Sequence, residues 1–351
     1  MRCLFNLISS RNPKIVEKVA IFLANVSSSF DFEYLSDMSI DAIVTIVTAP
    51  STMGPQTSEV TLLAVLIALL NFTTQHIAQG LENLGIPEAL EEIVNNTELS
   101  LTVKGVCLLI LTNFATQGSH KVTAETEAFA VGILKSYNDY ADETLEALRN
   151  AVYAALVMLY NQSLQVLQPE VIALVSDVVL PAFGDDPLIV RVILEFTALL
   201  AKTKQVTLPL PLLDHAFRKL TSPIVLQTQH RDPFDPRLLV QAPLDKGEQP
   251  MIPVTEPVLI MLAARALWAV ASSLEPETTS ETFQTRLKAL GDLTSVLEDL
   301  KTLGEQQHEN MANEILSPFL GFIESICTFD LTKEFIDSQK SNCCSMVLTL
   351  F

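Results

Sequence analysis

Glycine is scarce in this chain, at 11 of 351 residues, and aromatic side chains supply only 7%. Sandwiches and barrels draw on turn glycines and on aromatic strand pairs, so an all-β fold lacks its raw material here. Basic residues are also few: 22 Lys and Arg stand against 41 Asp and Glu, a formal charge of −19. Nucleic-acid binding works by replacing condensed counterions with Lys and Arg, so DNA and RNA are excluded as the expected partners. An anionic membrane surface is disfavoured for the same reason. An acidic surface gives solubility and favours basic partners.

Cysteine is sparse and odd in number: Cys3, Cys107, Cys327, Cys343 and Cys344. No CxxC pairing appears, which speaks for a reducing compartment, cytoplasmic or nuclear, over a disulfide framework. The adjacent Cys343 and Cys344 match no lipidation motif and read as plain thiols. The most apolar run, Val60–Phe72, falls short of the roughly 20 residues that a membrane span needs. It reads as a buried helix, with no membrane insertion. His76, His120, His215, His230 and His308 are isolated from one another and from cysteine clusters, so no metal is expected. No glycine-rich phosphate loop, G-x-S-x-G elbow or HExxH helix is present. The expectation is therefore a chain without cofactor, small-molecule substrate or catalytic activity.

What the chain does have is aliphatic: apolar residues make up 49%, mostly Leu, Ala, Val and Ile. Five apolar segments end in small polar clusters. They read VAIFLANVSSS (19–29), LIALLNFTTQ (66–75), LLILTNFATQG (108–118), LVMLYNQSLQ (156–165) and ILEFTALLAKT (193–203). The first four place asparagine at one point, Asn25, Asn71, Asn113 and Asn161, at intervals of 46, 42 and 48 residues. The fifth has Ala201 there, 40 residues on. A period of this size belongs to stacked helical repeats, in which no unit buries its apolar face alone.

The central segments are apolar nearly all round, which fits buried helices. Glu82–Val94 and Thr144–Leu156 carry charge on one side and read as outer helices. Asn12-Pro13, Gly85-Ile86-Pro87 and Asp185-Asp186-Pro187 are helix breaks and starts. Asn25, Asn71, Asn95 and Asn161 also match N-x-S/T. Three of the four lie inside apolar helical patterns, where a glycan has no room, and the matches read as coincidence.

LFNLISSRNPKIVEKVAIFLANVSS (4–28) and NLGIPEALEEIVNN with VKGVCLLILTNFAT (83–116) resemble the armadillo-repeat family. The likeness covers residues 1–205 well and is looser beyond. It implies an all-α fold, a right-handed armadillo-like superhelix of stacked two- or three-helix repeats. It also implies a protein or peptide partner, with Asn25, Asn71, Asn113 and Asn161 lining a concave groove and holding the main chain of a partner segment. The physical alternative is that each amide caps its own helix or bonds between repeats. Where nuclear-import adaptors of the family usually carry tryptophan, this chain has Ile21, Ile67, Leu109 and Val157, which argues against import-signal binding and for an apolar groove.

The pattern begins in mid-repeat at Met1, as expected of a fragment or shortened product. Beyond residue 205 it loosens: residues 209–257 hold nine of the chain's 18 prolines. A helix over Leu212–Leu220 precedes a Pro-rich loop over 222–256. Helices resume over 257–330, at 257–274, 281–303 and 305–328, and a tail, 331–351, follows. Arg265 and Trp268 lie one turn apart on the first of these. They are either an interface anchor or a core aromatic with a snorkelling arginine. The functional expectation is an adaptor or scaffold that grips a partner in its groove. The alternative is a regulatory or exchange-factor-like solenoid acting on a bound enzyme or GTPase through its outer surface.

Overall fold

The computed structural model describes residues 6–10, 12–27, 47, 58–73, 81–117, 120–137, 144–203, 208–221, 256–273, 296 and 309–327. Among the described residues all regular structure is helical, with no strand. They divide into two compact units, one ending at Leu167 and one beginning at Gln168. The expected loop, 222–256, lies outside the described residues except for Glu256, and so do the helix at 281–303 (apart from Val296) and the tail at 331–351.

The first unit holds α1 (Pro13–Ser27), α2 (Glu59–Phe72), α3 (Ile86–Asn95), α4 (Leu101–Gln117), α5 (Ala124–Lys135) and α6 (Leu145–Ser163). Helix starts follow the sequence signals. Asn12 Oδ1 accepts from the Lys14 N–H just ahead of Pro13, and Gly85 turns the chain at φ +72°, a conformation that strains any side chain with a Cβ. Ser58, Thr123 and Thr144 each accept an N–H of the first turn that follows. One expectation needs correcting. Thr144–Leu156 is no separate outer helix, because α6 runs unbroken from Leu145 through Asn161 to Ser163. Nothing in that stretch stops a helix: it holds no proline or glycine, and its apolar face continues without a change of period.

The long helices form a row: α1 packs on α2, α2 on α4, and α4 on α6. The amphipathic α3 packs on α4 and on α5, and α5 on α6. Hydrogen bonds at both ends show that the first three run parallel. Near their N-terminal ends, Ser58 donates to Glu17 Oε2 (2.9 Å), and the Ser100 N–H donates to Glu59 Oε1 (3.1 Å). Near their C-terminal ends, Asn71 bonds to Ser27 and Asn113 to Thr73. Between α4 and α6, Gly105 lies against the Ala151 backbone, where a Cβ on the glycine would stand 3.5 Å from Ala151 Cα. Burial matches a row: Leu66, Ile67, Val106, Leu108 and Leu111 are fully buried on helices that are apolar all round.

The second unit contains α7 (Pro169–Leu174), a wide turn (Val175–Val179), α8 (Leu180–Phe183), α9 (Pro187–Thr203), α10 (Leu210–Leu220), α11 (Glu256–Ser273) and α12 (Glu309–Cys327). In the wide turn the Leu180 N–H reaches back five residues to the Val175 carbonyl. The cause is local, since Pro181 has no N–H to give and its ring would crowd the carbonyl four residues before it. Asp186 Oδ1 caps α9 by accepting from the Leu188 and Ile189 N–H groups. Helix α9 packs on α11, and α11 on α10 and α12, around Leu194, Leu220, Leu267 and Phe322. The pair α11/α12 is parallel and in register: Trp268 meets Gly321 and Ser272 meets Ser325, both 53 residues apart.

Candidate functional site

All four asparagines sit in the last turns of row helices, and all four are half-buried. The stacking of α1, α2, α4 and α6 brings them into sequence along one edge of the first unit. Packed helices stand about 8–10 Å apart, so residues more than 40 positions apart in the chain become near neighbours.

Two amides tie neighbouring helices together. Asn71 Nδ2 donates to Ser27 Oγ at 2.8 Å, and Asn113 Nδ2 donates to Thr73 Oγ1 at 3.0 Å. The acceptors lie two residues after the asparagine of the preceding helix. Each of these hydroxyls gives its single proton to its own helix, Ser27 to the Ala24 carbonyl and Thr73 to the Leu70 carbonyl. The oxygen lone pairs are thereby left to the incoming amide. Asparagine and hydroxyl thus form a two-part rung. The third rung is missing. Two residues past Asn113 stands Ala115, and Asn161 instead turns its Nδ2 back to the Val157 carbonyl of its own helix, at 2.8 Å. Ser163 still donates to the Leu159 carbonyl at 2.7 Å. At the other end of the row, Asn25 Oδ1 is buried without a hydrogen-bond partner.

The sequence reading named the asparagines and missed the hydroxyls. The signal was present, because the N-x-S/T matches at Asn25, Asn71 and Asn161 are this rung pattern. Taking those matches as coincidence is right for a glycan and wrong for the serines and threonine, which have a structural task. Glu17 and Glu59, which clip the N-terminal ends, went unnoticed because nothing in their spacing sets them apart from ordinary surface acids.

Arg265 and Trp268 belong to the second unit, on α11, and do not join the asparagine row. Arg265 is exposed and makes no hydrogen bond or ion pair among the described residues. The Trp268 indole is 42% exposed, with its inner face on Gly321 of α12; a Cβ there would stand 2.6 Å from Cε2. Trp268 is therefore neither a core aromatic nor a free one: one face is seated and the other is open.

No protein-family model and no curated protein matches this chain. The crystal structure of an engineered protein is 13% identical to it, over 97% of this chain and 84% of that one, at a TM-score of 0.37. That likeness is too loose to argue from.

The other polar groups brought together in the interior have structural partners. Glu91, 7% exposed on α3, accepts from the Thr123 N–H (3.0 Å) and faces His120 Nε2 (3.1 Å), which pins the chain entering α5. His215 is buried on α10, and its Nδ1 accepts from the Arg218 guanidinium at 2.8 Å. A guanidinium only donates, so the imidazole is neutral with its proton on Nε2. Burial, then the charges of Lys219 and Arg218, push its pKa down to about 4 against a smaller upward pull from Asp185. Lys104, nearly buried on α4, lies over the Phe129 ring at 5.1 Å, and burial lowers its pKa. Among the described residues no three His, Cys, Asp or Glu side chains are grouped to hold a metal ion, and no helix is long and apolar enough to cross a membrane.

Proposed function

We propose that this chain is a non-catalytic protein-interaction scaffold with the right-handed armadillo-like superhelix that the sequence resembles. It holds a segment of a partner protein along the edge formed by Asn25, Asn71, Asn113 and Asn161, in the cytoplasm or nucleus. Arg265 and Trp268 offer a separate anchor. The observation that carries this reading is the half-exposed asparagine row itself, on helices stacked parallel at a period of 40 to 48 residues. In Asn113 the nitrogen is held by Thr73, which orients the amide before any partner arrives. An amide fixed in this way recognises a peptide unit without reading its side chain.

One observation favours the second reading, a regulatory solenoid that works through its outer surface. Asn71 and Asn113 already bond between helices, which is a sufficient structural reason for their presence. Capture of partners from lysate separates the two. Asn161→Ala touches only a bond within its own helix, so it tests the edge without loosening the stack. Thr73→Val loosens a rung and leaves every asparagine in place. A scaffold that uses the row loses its partner with Asn161→Ala and Asn113→Ala, each verified as helical by circular dichroism, and keeps it with Thr73→Val. A partner retained by both alanine variants and lost with Trp268→Ala moves the contact to the second unit.

A further inference from the structure

We draw no further inference here: the strongest candidate, the exposed indole face of Trp268 on α11 beside Arg265 and Gly321, is a surface patch for which nothing in the structure shows what covers it.

Discussion

Two glycines in helix interiors should respond to the same substitution with opposite signs. At Gly132 in α5 an added methyl meets nothing within 4 Å. Alanine there restricts the unfolded chain and improves helix propensity, a gain of about 0.5–1 kcal/mol. At Gly321 in α12 the methyl would stand 2.6, 2.8 and 3.0 Å from three atoms of the Trp268 indole. Carbon atoms pack at about 3.5–4.0 Å, so the ring has to withdraw by nearly 1 Å. Overpacking of this kind costs about 1–3 kcal/mol, which exceeds the same propensity gain. Gly321→Ala is therefore expected to destabilise by about 1 kcal/mol, some 2 kcal/mol apart from Gly132→Ala. Urea unfolding followed by far-UV circular dichroism measures both. Trp268 is the only tryptophan, so its emission reports the seat directly and should shift to the red as the indole lifts. A Gly321→Ala variant that gains stability like Gly132→Ala, with unchanged emission, would show that Trp268 is not seated on Gly321.

Ala115→Ser should rebuild the missing rung. Ala115 and Asn161 are 46 residues apart, the offset at which Gly105 faces Ala151. A net gain of about 0.5 kcal/mol in chemical unfolding is expected, after subtracting the lower helix propensity of serine; a gain that survives Asn161→Ala would refute the rung. His215 gives the second unit an acid-sensitive core. Its folded pKa, about 4, lies below the ordinary 6.5, so the unfolded chain takes up the proton first. The stabilisation is present in full above pH 6.5 and falls away between there and pH 4, on the order of 3 kcal/mol in all. His215→Leu should flatten that limb of the stability–pH curve, and an unchanged limb would assign the acid sensitivity to carboxylates.

The helices were legible because their signals are local. Apolar runs with proline or glycine at their edges place α2, α4, α10 and α11 within a few residues, and the 40–48-residue period anticipates neighbouring rows. Thr144–Leu156 misled because a charged face looks the same on a separate outer helix as on the first half of a long one. The wide turn ahead of Pro181 had no signal beyond the proline. The asparagines stood out by repetition, whereas their acceptors did not. Whether an amide faces solvent, its own helix or a neighbour depends on residues some 40 positions away, as Thr73 and Ala115 show. Sequence periodicity names the rung position but not its occupant. The Trp268 seat depends on Gly321, 53 residues on, and no pattern in the sequence links them.

A double-mutant cycle on Thr73 and Asn113 tests most directly whether the asparagines join the helices. Thr73→Val, Asn113→Ala and the double variant would be compared by urea unfolding under one set of conditions. The hydrogen bond at 3.0 Å predicts a favourable coupling of about 0.5–1.5 kcal/mol, so that the second substitution costs less once the first is made. Additive effects, with no coupling between the two positions, would contradict the rung and with it the stacked row on which the functional reading stands.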